Sequence, residues 1–501
     1  MNKTLTALTL STAVFVFLAI YPLPTSSYAD EFIGEKLVFE QWMDVSMQGD
    51  KAGFTYRKLT QTVSGYKYTS RSVIKLKVAG NAHDVSMSQT YFLDADMKPM
   101  RFSSVTKMMG HRQHFEGEIR GGKLYVTIRS AGTVSKKTLP FDSETQMADA
   151  LGFILGRKKL EEGQVYKFKV FIEPLLTTET VEVIIGKKME IEVNGKKEKV
   201  RQTIASFSGL TVISYISDDG RIMKETSPQG FVSIAVDESQ AVSFNDGVLD
   251  FTTLLTFSLI PTDKKIEDPE GIRKLELRVS GLTKENLIPG DQRQVVTNIK
   301  KVAQNGNVSY TASLTVLKGD NGAILESGGA GKNGTAEKFA DYLRSTFEVQ
   351  SDDPSIVLKA KEIVGGEKGA YESALIINRW VYENVEKKFI DTFSAVGTLK
   401  SLEGECQSHT NLFAALSRAV GIPVRTVSGI VYSSDFNGFL YHAWPEVYTG
   451  GGWVAMDPTF GQDAADATHI KLIEGDLAKQ LRLFEFIGKI GVEIVSIERL
   501  L

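Results

Sequence analysis

Three residues near the C-terminus have the types and the order that nucleophilic catalysis uses. Cys406 is the only cysteine of the 501-residue chain, His442 lies in FLYHAWPEVY and Asp457 lies in WVAMDPT. A thiolate can attack a carbonyl carbon when an imidazole takes the thiol proton and a carboxylate orients that imidazole. The sequence therefore predicts a nucleophilic site built from Cys406, His442 and Asp457.

The residues around the cysteine predict that it opens a helix. Apolar side chains recur at helical spacing through residues 406–420, and Gly421 and Pro423 then end the pattern. This places Cys406 in the first turn, where unpaired backbone N–H groups and the helix dipole favour a thiolate. The same N–H groups could hold the oxyanion of a tetrahedral intermediate.

A predicted hairpin brings the histidine and the aspartate together. Two segments rich in β-formers flank the turn TGGG, and pairing Tyr448 with Trp453 sets the register. In this register His442 lies opposite Thr459 and Asp457 lies opposite Trp444, so His442 and Asp457 are diagonal neighbours on one face. Pro445, inside the first strand, should lie at an edge or a bulge.

These segments resemble the transglutaminase-like superfamily. The stretches GECQSHTNLFAALSRAVGIPVR, HAWPEV and WVAMDPT stand in the family's order, and the following FGQDAADATHIKL looks like bacterial members. The resemblance extends from about Glu337 to Ile473. It implies a papain-like α+β core with Cys406, His442 and Asp457 as catalytic triad. Members include crosslinking enzymes, proteases, amidases and inactive relatives, and in relatives a second oxyanion donor comes from a side chain upstream of the cysteine.

Other residues near these segments have competing interpretations. His409 could be a second base, a metal ligand or, as we favour, a structural contact, and His469 is interpreted as structural. A zinc site of Cys406, His409, His442 and Asp457 is disfavoured because the spacing matches no zinc motif. Arg425 either forms a salt bridge or faces solvent. We expect Trp444 and Trp453 to pack in the core and the hairpin, and we predict no metal and no cofactor.

The rest of the chain divides into segments that differ in composition and in predicted secondary structure. We predict a signal peptide at residues 1–29, an antiparallel β domain at 30–260, a small β segment with a linker at 261–330 and a catalytic domain at 331–501. The β domain should be a meander or half-barrel, with one helical interruption at 144–156. Gly331-Lys332 in the linker is only a failed phosphate-loop match. Helices are expected in 336–347, 351–365 and 369–389, so the overall class is α+β.

The N-terminus and the charge limit location and partners. Lys3, an apolar run from Leu5 to Ile20 and small residues ending at Ala29 have the order of a secretory signal. We therefore expect an exported protein of a bacterial periplasm or cell envelope, with no transmembrane span after signal removal. A net charge of −3 without a dense basic tract argues against nucleic-acid binding.

Two hypotheses of function follow. The first is an exported cysteine-dependent acyl-transfer enzyme that cuts or transfers amide bonds of proteins, peptides or cell-wall peptides through a thioester. The second is a non-catalytic envelope protein whose β domain binds a ligand or partner and whose C-terminal domain keeps a relict site. The sequence specifies neither the acyl acceptor, water or an amine, nor the substrate.

Overall fold

We analysed a computed structural model of the chain. It describes residues 35–78, 81–108, 111–130, 132–227, 230–244, 248–285, 287–304, 307–319, 339–366, 369–388, 394–475 and 477–499. The predicted signal peptide and most of the predicted linker lie outside these residues. The chain forms two compact units that divide between residues 254 and 255.

The first unit is built almost entirely from strands. Its strands are β1 Lys36–Met47, β2 Asp50–Thr62, β3 Gly65–Val78, β4 Asn81–Leu93, β5 Pro99–Met108, β6 His111–Arg120, β7 Lys123–Ser130, β8 Thr133–Pro140, β9 Thr145–Met147, β10 Val165–Ile172, β11 Thr177–Val193, β12 Lys196–Phe207, β13 Leu210–Ser217, β14 Ile222–Thr226, β15 Phe231–Val236 and β16 Leu249–Asp250. Its helices are α1 Leu151–Gly156 and α2 Glu238–Val242, with 3-10 turns at Ala148–Ala150 and Glu173–Leu175, and α3 Phe251–Ser258 crosses the boundary.

These strands form one long sheet made of two meanders. The order is β8-β7-β6-β5-β4-β3-β2-β1-β15-β14-β13-β12-β11-β10-β9, and β16 adds to β3. Every pairing is antiparallel except β9–β10 and β16–β3, which are parallel. Strand β10, next to one end of the strand order, contacts β5 of the other meander. The contact is between Phe171 of β10 and Phe102 of β5. The predicted antiparallel β-rich region and its helical interruption after Met147 are confirmed.

The interior of this sheet is partly polar. Asp149 accepts a hydrogen bond from Ser70, and Gln89 donates one to Glu173. Burial raises the pKa of both carboxyl groups to about 7. A cavity of about 200 Å³ lies beside Asp149 and Arg57. The unit therefore encloses polar groups as well as an apolar core.

The second unit mixes helices and strands. Its strands are β17 Ile260–Pro261, β18 Ile272–Leu282, β19 Gln294–Gln304, β20 Asn307–Leu317, β21 Glu386–Lys387, β22 Glu403–Gly404, β23 Val424–Ser433, β24 Gly438–Tyr448, β25 Trp453–Ala455, β26 Ile470–Glu474 and β27 Gly491–Arg499. Its helices are α4 Ala340–Leu343, α5 Pro354–Val364, α6 Ala370–Asn384, α7 Ala395–Ser401, α8 Cys406–Ala419 and α9 Leu477–Gln480, with 3-10 turns at Pro269–Gly271 and Leu481–Glu485.

Helix α8 is the centre of this unit. Its side chains Leu412, Phe413 and Leu416 are fully buried in one cluster with residues of α5, α6 and β24. Behind the helix lies the sheet β17-β24-β23-β26, with β25 paired to β24. The helix predicted at 406–420 is therefore confirmed, and burial of its apolar stripe holds its first turn in place.

Two of the three helices predicted before the cysteine are confirmed. Asp353 caps α5 by accepting a hydrogen bond from the Ser355 N–H, and Pro354 occupies the first helical position as expected. Helix α6 begins after Gly369. Of the helix predicted at 336–347, the described residues from Phe339 onward form only the four residues of α4, and Phe339 and Tyr342 pack against the aromatic ring of Trp453.

The described part of the predicted β segment, up to residue 319, belongs to the C-terminal unit. Its strands form the sheet β19-β20-β18-β27, in which the last strand of the chain pairs with β18. Apolar residues of this sheet share a core with β23, β24 and β26. Among the described residues, no helix combines the length and apolar character needed to cross a membrane.

Gly429 permits close packing at the middle of the site sheet. It lies on β23 opposite His442, and a Cβ there would stand 2.0 Å from the Ile470 carbonyl oxygen and 2.7 Å from the Trp444 ring. We predict that Gly429→Ala destabilises the unit by roughly 3 kcal/mol, since backbone must move to relieve the overlap. Urea unfolding followed by tryptophan fluorescence measures the loss.

Gly366→Ala is the matched control, because a Cβ at Gly366 meets no atom within 4 Å. Equal stability of the two variants would contradict this account of the packing.

Candidate functional site

Cys406 lies at the start of α8, as the sequence predicts. Glu405 is the N-cap, and its side chain accepts a hydrogen bond from the Gln407 N–H at 3.0 Å. The short parallel pair β21–β22 leads the chain into this position. Gly404 is required here, since a Cβ would come within 2.3 Å of the Ser408 side chain. The thiol is fully buried.

His442 lies on strand β24, which packs against α8. A hydrogen bond joins this strand to the helix at the residue after His442: the Thr410 hydroxyl donates to the Ala443 carbonyl at 3.1 Å. Phe460 stacks on the His442 ring, with centroids 4.8 Å apart and planes at 14°. Packing against Phe460 thus limits rotation of the imidazole plane.

Asp457 holds the other edge of that imidazole. His442 Nε2 and Asp457 Oδ2 are 2.7 Å apart, and both side chains are buried. The second carboxylate oxygen accepts the backbone N–H groups of Thr459 and Phe460 at 2.7 and 3.1 Å. Since an ionised carboxylate only accepts hydrogen bonds, the His442 proton belongs on Nε2. This leaves Nδ1 as the basic nitrogen, and it is buried without a hydrogen-bond partner among the described residues.

The predicted hairpin register is confirmed next to the turn, but the pairs predicted for His442 and Asp457 do not form. Tyr448 pairs with Trp453 as predicted. The ladder ends at Ala455, and Asp457 bridges to Gln462 instead of lying opposite Trp444. Pro445 accepts a last hydrogen bond from the Met456 N–H at this point. The proline therefore lies where the β24–β25 ladder stops, which agrees with the expected edge position.

A second histidine, His469, enters the site from the segment before β26. Its Nε2 lies 3.0 Å from Asp457 Oδ2, and its Nδ1 lies 3.2 Å from Asp466 Oδ1. The sequence analysis interpreted His469 as structural and did not single out Asp466. The available clue was the stretch DATHI, which spaces an aspartate and a histidine three residues apart.

The charges of this group follow from its hydrogen bonds. Burial alone would lower the pKa of His469, but Asp466 and Asp457 raise it to about 9. Burial would likewise raise the pKa of Asp457, yet the two imidazoles outweigh it and hold that pKa well below its usual range. Burial would also raise the pKa of Asp466, but the His469 imidazolium outweighs it, and that pKa falls to about 2. At neutral pH His469 is therefore an imidazolium between two carboxylates.

The thiol itself is hydrogen-bonded to Glu405. Cys406 Sγ lies 3.2 Å from Glu405 Oε2, and both residues are buried. A thiol can donate to that carboxylate, whereas a thiolate beside it would be repelled. The geometry is that of a protonated, enclosed cysteine, and the Glu405 charge opposes its ionisation.

The remaining residues singled out in the sequence have structural partners. His409 contacts the carbonyl oxygens of Glu405 and Val385 through its two ring nitrogens, at 2.9 and 3.3 Å. Arg425 forms ion pairs with Glu446 and Glu474 and lies over the Trp453 ring.

The four residues of the disfavoured zinc site do not form a ligand cluster. Within the described parts of the chain, two groups have ligand atoms within 4.8 Å: His442, Asp457 and His469, and Asp291, Glu446 and Glu474. The first group is already joined by hydrogen bonds, and the second surrounds the buried Lys471 ammonium. Trp444 is fully buried, as expected.

The comparison with known families addresses this region of the chain. Residues 359–458 match the model of the transglutaminase-like superfamily. The C-terminal region is a transglutaminase-like domain. That superfamily contains cysteine-dependent enzymes, which agrees with a cysteine at the centre of the site.

Similar proteins share only parts of the chain. Mouse kyphoscoliosis peptidase is 30% identical over 97 residues, which is 18% of this chain and 14% of that protein. An uncharacterized protein of Haemophilus influenzae is 27% identical over 165 residues, which is 27% of this chain and 42% of that protein. The chain thus spans less than half the length of either curated relative. A solved structure described as a candidate cysteine protease of Cytophaga hutchinsonii is 21% identical, with a TM-score of 0.32 over 45% of this chain and 89% of that one.

The His469 imidazolium should make stability depend on pH. Its pKa of about 9 lies above the ordinary value near ~6.5, so its contribution is complete below pH ~6.5 and is lost as pH rises through 9. We predict that the difference in unfolding free energy between wild type and His469→Gln falls by roughly 3 kcal/mol across this range. Urea titrations at several pH values measure it.

His83→Gln makes the same substitution on a partly exposed strand residue of the first unit and serves as control. A pH-independent difference for His469→Gln would contradict the imidazolium assignment.

Removing the Glu405 charge should make Cys406 easier to ionise. Gln at position 405 can still accept from the Gln407 N–H, but it no longer repels a thiolate. We predict that Glu405→Gln lowers the midpoint of the pH–rate profile for iodoacetamide labelling, by on the order of one unit. Glu403→Gln is the control, because that carboxylate is paired with Lys388 at the surface. An unchanged or higher midpoint in Glu405→Gln would refute the interpretation.

Proposed function

We propose that the protein is an exported cysteine-dependent acyl-transfer enzyme that acts on amide bonds through a thioester. The observation that carries this proposal is the buried pair of His442 and Asp457. His442 Nδ1 has no hydrogen-bond partner among the described residues, and its strand is bonded to α8. Proteins, peptides or cell-wall peptides are the substrates, and the catalytic residues are Cys406, His442 and Asp457 on a papain-like core.

The first half of the reaction forms the thioester. Cys406 transfers its proton to His442 Nδ1, and the sulfur attacks the amide carbonyl carbon. N–H groups at the start of α8 stabilise the resulting oxyanion. The C–N bond then breaks as His442 gives the proton to the leaving amine, and Asp457 stabilises the imidazolium while it exists.

The second half releases the acyl group. His442 takes a proton from the acceptor, which attacks the thioester, and the thiol leaves with that proton. Water gives hydrolysis, as in a protease or amidase, and an amine gives a crosslink. We favour hydrolysis, because crosslinking needs a site where an amine outcompetes water, and the sequence holds no pattern for one.

Export is part of the proposal. The N-terminal signal pattern at residues 1–29 supports it and indicates a bacterial periplasm or cell envelope. The β-rich first unit would then present the enzyme or bind an envelope ligand.

One observation favours the alternative of a non-catalytic scaffold protein. Cys406 is fully buried and hydrogen-bonded to Glu405, so the enclosed thiol must become accessible before any reaction. A relict domain would keep such a cysteine as a small buried side chain.

Labelling of the single cysteine separates these two functions. We predict that iodoacetamide labels Cys406 in the native protein. His442→Ala should slow labelling at neutral pH at least tenfold, because the base is lost, and Asp457→Asn should slow it less.

His83→Ala is the control for a histidine outside the site. Labelling that requires denaturation would favour the scaffold alternative. Native labelling at a rate unchanged in His442→Ala would refute the Cys–His pair.

A further inference from the structure

The first unit contains a cavity with a mainly aliphatic wall. Its volume is about 200 Å³, and it is partly open to solvent. The inner faces of β1–β3 and β10–β15 form the wall together with α1. Its aliphatic side chains include Leu155, Val170, Val181, Val183 and Ile216. An engineered apolar cavity of about 150 Å³ holds benzene, so this one has room for an alkyl group of roughly six carbons.

A row of polar side chains crosses this wall. Neighbouring strands from β12 to β15 place directly opposite one another the residues Thr203, Ser214, Glu225 and Ser233, and all of them line the cavity. The Ser214 hydroxyl donates a hydrogen bond to the Glu225 carboxylate at 2.8 Å. The row therefore presents one carboxylate among three hydroxyl groups, next to the aliphatic surface.

The charges that line the cavity do not balance. The charged side chains in its wall are Arg57, Asp149 and Glu225. Burial raises the pKa of Asp149 to about 7, and Arg57 opposes this rise. Glu225 is partly buried, and within the described residues no cation lies at ion-pair distance from it. Above pH 7 the wall thus has two carboxylates for one guanidinium, so it repels an anionic ligand and favours a cation.

We propose that this cavity binds a small aliphatic amine, with the alkyl group against the aliphatic wall and the ammonium on Glu225. An ammonium carries three N–H donors. The Glu225 carboxylate and the hydroxyl oxygens of Thr203 and Ser233 can accept them, because they lie in one row. Each of these residues belongs to the first unit, so the inference is independent of the chemistry proposed for Cys406.

Calorimetric titration of the full-length protein at pH 8 tests the proposal with hexylamine, hexanol and hexanoate. At this pH Asp149 is ionised and alkylamines are protonated. We expect hexylammonium to bind at least tenfold more tightly than hexanol, because its hydrogen bonds to the carboxylate are charge-assisted. Hexanoate should bind more weakly than hexanol. From propylamine to hexylamine, binding should tighten roughly threefold to fourfold for each methylene buried.

Two variants separate the polar group from the cavity. Glu225→Gln keeps the shape of the side chain but removes its charge, so hexylammonium should bind no more tightly than hexanol. Ala205→Phe places a ring in the cavity and should weaken both ligands at least tenfold. Glu182→Gln is the matched control. Glu182 lies between two residues that line the cavity, so its side chain is on the outer face of β11, where it pairs with Lys167.

The amine-to-alcohol ratio of affinities decides the outcome. If hexanol or hexanoate binds wild type as tightly as hexylammonium, or if the preference for the amine persists in Glu225→Gln, the assignment to Glu225 is wrong. If wild type shows no saturable binding of any of these ligands, the site itself is refuted. Because each ratio is measured within one protein, the test holds even if Ala205→Phe does not fold.

Discussion

The arrangement of the site depends on one fully buried carboxylate. Asp457 would be too costly to bury as an ion without several partners. It has four: two imidazoles on one oxygen and two backbone N–H groups on the other. These partners come from β24, from the turn after β25 and from the segment before β26. Satisfying a single charge therefore fixes three separate segments of chain relative to one another.

The shared carboxylate also limits how strongly His442 can be polarised. Asp457 Oδ2 faces His469 as well as His442. Because His469 is already cationic between two carboxylates, part of the Asp457 charge is neutralised before His442 takes any proton. The charge of Asp457 is therefore shared between the two imidazoles.

The sequence predicted the features that depend on residues close together in the chain. The apolar stripe and terminal glycine located α8, and the four-residue turn set the register that brings His442 near Asp457. His469 could not be placed in this way, because it reaches Asp457 only through the pairing of β26 with β23, which no turn specifies. The helix predicted at 336–347 is an error of the other kind. Its apolar stripe is a clear local pattern, but aromatic contacts with the hairpin formed in place of most of the described part of that helix.

The part of the chain that supports the site is larger than the part that matches the family. Arg293 donates to the carbonyl oxygens of Asp466 and His469 at 2.6 and 2.8 Å, and Gln294 bonds both the N–H and the carbonyl of Lys471. These bonds hold the backbone that presents His469 to Asp457. Both residues precede the matched segment 359–458, and the backbone that they hold follows it. Through Arg293 and Gln294, the sheet that contains β19 therefore acts as structural support for the site.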